Sequence, residues 1–278
     1  MYKVRKIQEF MDDTIHPELL VQLTEVKWRL DSKKYKELFI ATKDAVVTGI
    51  AMSWFNDFHP MAKYIQFFAL EPMPALLESL LQSQKNVMFS CWEDEQSKIK
   101  MAEQAGFQLF RQTYMATFSI AALLAKLENI QAIPQITALA QILQHQREPF
   151  FSALKRNYEE THIHNPAQNF SWQEWEEFLF DDEVDTELSG VLVEDEQITG
   201  YIMLHPVTET HYEIGWVGQS GEVHIQALLK RQLLELQKKG IKTVEIEVDT
   251  TDWHARALFR FIDLQHIRSW NSYLFEGI

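Results

Sequence analysis

The sequence predicts an α/β protein that contains two similar domains. Stretches with apolar residues at alternate positions, typical of strands, are interspersed with stretches whose apolar residues recur every three or four positions, typical of helices. The chain also resembles itself. Residues 87–118 overlay residues 244–275 without a gap at an offset of 157, and residues 44–52 overlay residues 195–203 at an offset of 151. Two repeats in the same order indicate a duplicated domain.

Length and composition agree with two globular domains. The chain has 278 residues, of which 46% are hydrophobic and 24% are charged, and this length exceeds that of a typical single domain. We place the domains at residues 1–125 and 126–278.

Charge and cysteine content restrict the partners. The formal net charge is −14 and the basic residues are scattered, which argues against a nucleic-acid binder and favours a cationic small molecule or peptide. The single cysteine, Cys91, excludes an intrachain disulfide and fits a reducing, cytoplasmic setting. We recognise no export signal and no apolar stretch of membrane-spanning length. We therefore expect a cytoplasmic protein, a monomer or a homodimer, without a membrane partner.

The first half predicts a mixture of helices and strands. Apolar residues at helical spacing between Ile7 and Leu30 predict two helices, divided at His16-Pro17. The elements that follow are strands at 38–42, 46–55 and 64–70, a helix at 74–81, a strand at 87–92, a helix at 96–105 and a strand at 110–120.

The second half predicts a similar order with longer helices. Ser171 and Glu174 form a capping box for a helix at 172–180. Asp252 can cap a short helix at 253–262. Segment 121–129 closes the first domain. The other predicted elements of the second are a strand at 130–136, a helix at 138–159, a strand at 211–217, a helix from Val223 to about Gly240, and strands at 244–248 and 267–275.

Two motifs in the last third point to a function. A strand, a tight turn at 218–221 and a helix whose free N–H groups face that turn form a place to hold a phosphate. The next strand leads into Asp252-Trp-His-Ala255-Arg-Ala-Leu258-Phe259. These motifs resemble those of the GNAT superfamily of acyl-CoA-dependent N-acyltransferases. In that family the turn holds the pyrophosphate of CoA and the helix begins Asn-x-x-Ala-x-x-Leu-Tyr.

The resemblance implies a fold and a co-substrate. Each domain is expected to be a mixed, mostly antiparallel twisted sheet flanked by helices, and acetyl-CoA is the expected co-substrate. The residues that the resemblance assigns to acetyl-CoA binding are Trp216, Val217, Gly218, Gln219, Gly221, Glu222, Val223, Asp252, Ala255 and Phe259. The sequence departs from the family pattern because Asp252 replaces Asn, Phe259 replaces Tyr, and Val223 and Ile225 replace two glycines.

The first half lacks the phosphate-binding features. If Tyr64 is equivalent to Tyr212, the next strand follows after 23 residues in the first half and after 32 in the second. The first half therefore lacks about two and a half helical turns. Its turn, Glu71-Pro72-Met73-Pro74, has two prolines without N–H donors and a carboxylate that repels anions. We predict that the N-terminal domain is a degenerate scaffold that binds no CoA.

Direct acyl transfer needs a group that takes the amine proton and one that protonates the leaving thiolate. Glu213, on the strand that ends at the turn, is the candidate base, and an ordinary solvated strand residue is the alternative. Phe259 cannot donate a proton, so Tyr273 is the candidate acid, with a packed terminal-strand tyrosine as the alternative. A run of alternating carboxylates is either an acidic wall for the acceptor or an ordinary exposed face: Glu245, Glu247 and Asp249.

Two further segments have less specific patterns. The aromatic residues of segment 169–180 either contact the acceptor or pack in the core, and packing is the commoner role. His162-Ile-His164 has no cysteine nearby, and we predict no metal site. The leading function is N-acetyl transfer from acetyl-CoA to an amine of a small molecule or peptide by the C-terminal domain. The alternative is a catalytically inactive GNAT-derived interaction module.

Overall fold

A computed structural model describes residues 2–10, 14–81, 86–133, 135–220 and 225–276. The elements of the first half are β1 Lys3–Ile7, α1 Pro17–Gln22, α2 Lys27–Asp31, β2 Glu37–Lys43, β3 Val46–Phe55, β4 Ala62–Ala69, α3 Pro74–Glu78, β5 Asn86–Trp92, α4 Gln96–Gln104, β6 Gln108–Ser119 and α5 Ile120–Lys126. Those of the second half are β7 Thr137–Ala138, α6 Leu139–His145, α7 Arg147–Thr161, α8 Trp172–Asp181, β8 Gly190–Glu194, β9 Gln197–Thr208, β10 His211–Gln219, α9 Ile225–Lys238, β11 Thr243–Asp249, α10 Trp253–Leu258 and β12 Ser269–Phe275.

The chain forms two compact units. Unit 1 comprises Met1–Gln112, His164–Gln168 and Trp270–Ile278, and unit 2 comprises Thr113–Ile163 and Asn169–Ser269. The strand order in unit 1 is β1-β2-β3-β4-β5-β12, and in unit 2 it is β6-β11-β10-β9-β8-β7. In each unit one neighbouring pair is parallel, β4 with β5 and β10 with β11, and the other pairs that join these strands are antiparallel. The predicted mixed, mostly antiparallel sheets flanked by helices are confirmed.

Each unit takes its last strand from the other half of the chain. In unit 1, β12 pairs with β5 and Phe275 lies opposite Val87. In unit 2, β6 pairs with β11 and Phe118 lies opposite Val244. The offset of 157 found in the sequence converts one pairing register into the other. The compact units therefore differ from the continuous segments 1–125 and 126–278, because the final strands of the two halves are exchanged.

The core of unit 2 lies between the sheet and helices α5, α9 and α10. The apolar face of α9 is fully buried against β9, β10 and β11 through Leu228, Leu229, Leu233 and Leu236. Burial of four leucines gives this helix roughly 1.5–3 kcal/mol per side chain, which is why a helix of 14 residues is held firmly on the sheet. The corresponding helix of unit 1, α3, has only five residues.

Three local predictions were wrong. The helix predicted to begin at Ile7 does not form over the described residues 7–10, because Ile7 ends the edge strand β1 and pairs with Leu38 of β2. Residues 130–133 and 135–136 form no strand, and β7 has two residues only. The helix predicted at 138–159 is divided at Gln146, whose φ of −133° lies outside the helical range and whose side chain donates to the carbonyl of Glu196. None of the helices in the described part of the chain has the length and apolar content needed to cross a bilayer.

Candidate active site

A gap opens in unit 2 where the two parallel strands separate. β10 and β11 are paired from His211 and Thr243 up to Ile214 and Ile246. Beyond that point β10 has an irregularity and stays with β9 as far as Gln219, whereas β11 stays with β6 as far as Asp249. The carboxyl ends of the two strands therefore diverge, and crevices at the carboxyl ends of parallel strands are common ligand sites.

The backbone of β10 presents its polar groups to this gap. Ser220 N donates to Thr199 O of β9 at 2.8 Å, so the backbone polar groups of Ser220 and Gly218 face β9. Along a strand paired antiparallel the N–H and C=O groups alternate between the two edges every residue. The N–H and C=O groups of Val217 and Gln219 consequently face the opposite edge of β10, where β11 no longer pairs with it. Val217 thus places a backbone donor and acceptor in the gap.

His254 closes the far end of the gap. Its Nδ1 accepts a hydrogen bond from Gln219 N at 3.1 Å, so in the neutral ring the proton lies on Nε2. The side chain is 1% exposed, and burial lowers the pKa of His254 to about 4. Nε2 lies 4.0 Å from the Glu160 carboxylate of α7. His254 is therefore neutral at pH 7 and connects α10 with the end of β10.

Asp252 caps α10, as predicted. Its carboxylate accepts from His254 N at 2.8 Å and from Ala255 N at 3.1 Å. Burial raises the pKa of Asp252 to about 6, although the two backbone donors act in the opposite direction. The cap fixes where the helix begins and thereby holds His254 in position.

Two glycines allow side chains to lie directly on β10. A Cβ at Gly218 would overlap the side chains of Asn157 and Tyr201. A Cβ at Gly215 would lie 2.8 Å from Nε2 of His205, closer than real Cβ contacts. Tyr201 is buried, and burial raises its pKa, so its hydroxyl, which accepts from Asn157 Nδ2 at 3.3 Å, stays neutral. Glycine at these two positions therefore leaves room for neighbouring side chains to pack directly against the backbone of β10.

The candidate base lies beside the start of the gap. Glu213 is half-buried on β10 and is placed in register between His205 of β9 and Glu245 of β11. Trp216 donates from Nε1 to a carboxylate oxygen of Asp182 at 3.2 Å. Acceptor groups and an aromatic ring thus line this face, an arrangement suited to a cationic ligand.

The aromatic residues of segment 169–180 contribute mainly to packing. Trp175 is fully buried, and its ring lies 4.9 Å from Tyr158 and 5.7 Å from Trp216. Phe170 and Phe178 pack edge-on against the same indole. The predicted capping box of Ser171 and Glu174 is confirmed.

A shallow open depression adjoins the end of β10. Its polar lining includes Arg156 and Asn157 of α7, Thr199 of β9, and Gln219 and Ser220. It encloses no room for a water molecule, so it is a surface feature and not a cavity that buries a ligand.

Several residues that the sequence assigns to the site lie elsewhere. Ala255 and Phe259 are buried in the apolar core of unit 2, where Phe259 is 1% exposed and packs near Phe261. Tyr273 is 2% exposed and packs against Phe89 in the core of unit 1. The role of Tyr273 as the acid stays a prediction, and its burial among apolar side chains of unit 1 does not favour it. The predictions for Gly221, Glu222 and Val223 lie outside the described residues.

The structure also adds residues that the sequence did not indicate. His254 and His205 reach the site through contacts with Gln219 and with Asp182, which lie 35 and 23 positions away in the chain. Neither spacing forms a known motif. The position of His254 two residues after the predicted cap Asp252 was the only signal available.

The corresponding gap in unit 1 is bridged by a side chain. β4 and β5 separate after Ile65 and Phe89, and the next residue, Gln66, donates from Nε2 to Ser90 O of β5 at 2.6 Å. The same register places Gly215 at this point in unit 2. The prediction that the N-terminal half binds no CoA remains a prediction, and the Gln66 bridge agrees with it.

The histidines of segment 162–164 make aromatic contacts. His162 stacks on Tyr158 with ring centroids 3.8 Å apart, and the ring centroids of His164 and Phe110 are 5.5 Å apart. Across the described ranges, no group of three or more His, Cys, Asp or Glu side chains is arranged to hold a metal ion.

In unit 2 the strand β10, the helix α9, the parallel strand β11 and the capped helix α10 follow one another, and in unit 1 the order β4, α3, β5 and α4 is the same. No protein-family model matches the sequence, and no curated protein matches it. Solved structures do match. A GCN5-related N-acetyltransferase from Sphaerobacter thermophilus superposes with a TM-score of 0.57 at 15% identity, covering 99% of this chain and 95% of that chain.

Two other solved structures have similar folds. A tandem GNAT protein from the clavulanic acid biosynthesis pathway, determined without acetyl-CoA, has a TM-score of 0.53 at 11% identity and covers 100% of this chain and 99% of that chain. A GCN5-related glucosamine N-acetyltransferase region of a fungal multi-domain GH3 β-N-acetylglucosaminidase has a TM-score of 0.55 at 9% identity, covering 99% of this chain and 38% of that chain. At these identities the likeness establishes the fold, and this chain has the tandem GNAT fold.

Proposed function

We propose that unit 2 transfers an acetyl group from acetyl-CoA to an amine of a small molecule or peptide. The observation that supports this most is the gap between β10 and β11, into which Val217 directs its backbone N–H and C=O. An extended chain carrying amide groups, such as the pantetheine arm of CoA, can add to such an edge as an extra strand would. Side chains of His205, Asn157 and Tyr201 pack against β10 at Gly215 and Gly218, so the arm would add at the free strand edge of Val217 and not on the faces of the strand.

Within this proposal, acetyl-CoA supplies the thioester, the bound ammonium group first loses one proton to water, and Glu213 takes the second proton as the resulting neutral amine attacks. The amine nitrogen forms a bond to the acetyl carbon, the carbon–sulfur bond breaks, and the electron pair leaves on sulfur. Phe259 is buried and has no proton to donate, so water is the proton source for the thiolate. Because general acid catalysis typically contributes ~10²–10⁴ in rate, we expect slow turnover.

The proposed acceptor carries a positive charge. Glu213 and Glu245 are neighbours on one face of the sheet, and Asp182 lies beside Trp216. Carboxylates near an indole favour an ammonium group over a neutral amine. The formal net charge of −14 adds a long-range attraction for cations.

One observation favours the alternative function, an inactive interaction module. Gln219 N, the second backbone donor that faces the gap, is already bound by His254. If His254 stays in place, acetyl-CoA can use the Val217 edge only. In that case the unit would bind acetyl-CoA weakly or not at all, and it would turn over no substrate.

Calorimetry with acetyl-CoA separates the two functions when Val217→Pro is compared with Val217→Ala. Proline removes the N–H that faces the gap, whereas alanine keeps it and shortens the side chain. We expect one binding site per chain, weakened at least tenfold by proline and little by alanine. A thiol-release assay with polyamines, aminoglycosides and peptide N-termini then tests turnover. Two sites per chain, or equal binding by both variants, would contradict the proposal, and binding without turnover would favour the module.

A further inference from the structure

His205 on β9 is held in one tautomer. The residue is 6% exposed, and its Nδ1 lies 2.7 Å from the backbone carbonyl oxygen of Asp182. A carbonyl oxygen only accepts hydrogen bonds, so Nδ1 carries the proton and donates it. In the neutral ring Nε2 then has a lone pair and acts as an acceptor. Among the described residues this Nε2 is buried and has no hydrogen-bond partner.

A buried acceptor without a partner is unusual in a folded protein and calls for an explanation. The position of Nε2 supplies one. The site of a Cβ on Gly215 would lie 2.8 Å from Nε2 of His205 and 3.8 Å from Oε1 of Glu213. The lone pair and the carboxylate therefore converge on the same glycine. In the register of β9 and β10, Glu213 lies directly opposite His205, the arrangement in which cross-strand side chains meet.

We propose that His205 is a positioning residue that forms a proton-sharing dyad with Glu213. The inference rests on the proposed acetyl transfer. Glu213 accepts the proton of the amine as the nitrogen bonds to the acetyl carbon and the carbon–sulfur bond breaks. The protonated carboxyl group then donates its O–H to Nε2 of His205, which accepts the proton. The imidazolium returns the proton to solvent, and the carboxylate and the neutral ring are restored.

The hydrogen bond to Asp182 determines which nitrogen of His205 can accept a proton. Since Nδ1–H is already donated to the carbonyl of Asp182, only Nε2 can take up a further proton. The same Asp182 accepts from Trp216 through its carboxylate, so one residue orients both the imidazole and the indole beside Glu213. A side chain at residue 215 would fill the space beside both members of the dyad, and glycine at that position leaves it open for the carboxyl group to approach Nε2.

The test uses two substitutions of His205. In His205→Asn the amide N–H replaces Nδ1–H toward Asp182 and nothing replaces Nε2. In His205→Gln the longer amide brings an acceptor oxygen close to the Nε2 position. We expect kcat/KM to fall roughly 10–10²-fold in the Asn variant, toward the ~10²–10⁴-fold loss that removing the base with Glu213→Gln produces. The Gln variant should recover part of the loss, and the affinity for acetyl-CoA should stay within about twofold in both.

A double variant distinguishes a dyad from two independent residues. Residues that act as one unit show non-additive losses, so Glu213→Gln combined with His205→Asn should cost no more than Glu213→Gln alone. His266→Asn, which changes a histidine on the surface of unit 2 that is 86% exposed, is the control and should leave the rate unchanged. Additive losses, or a His205→Asn variant as active as the wild type, would overturn the dyad.

Nitrogen NMR of the histidine rings tests the dyad without any turnover. The wild type should show His205 protonated at Nδ1 and unprotonated at Nε2. Glu213→Gln should shift the Nε2 resonance, because the introduced amide can donate to the lone pair, and the resonances of His266 should not move. If no amine is acetylated, the proposed function fails, and this spectrum still decides the dyad. A wild-type ring protonated at Nε2, or no shift on Glu213→Gln, would refute it.

Discussion

Truncation of Tyr273 to alanine tests the exchange of the terminal strands. Tyr273 lies on β12 in the second half of the sequence, yet it packs against Phe89 of β5 in unit 1 with ring centroids 6.0 Å apart. Removing a fully buried aromatic side chain costs about 3–5 kcal/mol. Domains are typically stable by about 5–15 kcal/mol, so unit 1 should lose a large part of its stability. The stability of unit 2 should change little, because Tyr273 belongs to the core of unit 1.

Hydrogen exchange measured peptide by peptide locates that loss. A cost of about 3–5 kcal/mol corresponds to roughly 10²–10⁴-fold faster exchange for amides that open with the whole unit. We expect this acceleration in β4 and β5, and protection close to that of the wild type in β10 and β11. Phe118→Ala on β6 is the matched variant, since Phe118 lies opposite Val244 and should affect β10 and β11 instead.

The result that would refute the strand exchange is the opposite pattern. If Tyr273→Ala accelerated exchange mainly in β10 and β11, β12 would belong to the sheet of the second half. The continuous domains 1–125 and 126–278 would then describe the compact units correctly.

Two further predictions concern the end of the gap. The pKa of His254 is lowered to about 4, so on acidification the unfolded chain binds this proton before the native state does, and stability falls as the pH drops from about 6.5 to 4. The pKa of Asp252 is raised to about 6, so the native state binds that proton first, and stability rises as the pH drops from 6 to 4. The two trends oppose each other, and urea unfolding of Asp252→Asn should reveal a decline toward pH 4 of up to about 1.4 kcal/mol per pH unit; a variant as flat as the wild type would contradict these shifts. Gly218→Ala should destabilise unit 2 by about 1–3 kcal/mol, because its Cβ overlaps Asn157 and Tyr201. Gly240→Ala is the control for backbone strain without overlap, since a Cβ there meets no atom within 4 Å but φ is +85°. An unchanged urea midpoint for Gly218→Ala would show that the two side chains move aside freely.

The local elements were largely predictable because their signals lie within a few residues. The capping box at Ser171 and the cap at Asp252 involve groups two or three positions apart. The long helix α9 follows from leucines at helical spacing. Prediction failed where pairing with a distant strand overrides local periodicity, as at β1, which forms against β2.

The candidate site was predictable only in part. Val217 and Gln219 were assigned from the motif, and their backbones face the gap. The roles of Phe259 and Tyr273 stay predictions, and the sequence did not reveal that both side chains are buried in apolar cores, because the direction of a side chain depends on how its element packs. His205 and His254 were missed because their partners, Asp182 and Gln219, are distant in the chain.

The sequence by itself determined that this protein contains two copies of one α/β arrangement and that only the second copy has a long helix after the diverging strand. It could not determine which terminal strand joins which sheet. Phe118 and Phe275 occupy equivalent positions in the repeat, and so do Val87 and Val244, so each terminal strand matches either partner in periodicity and register. Only the tertiary structure decided between them, because the packing of each terminal strand against a partner more than 120 residues away in the chain selects one pairing.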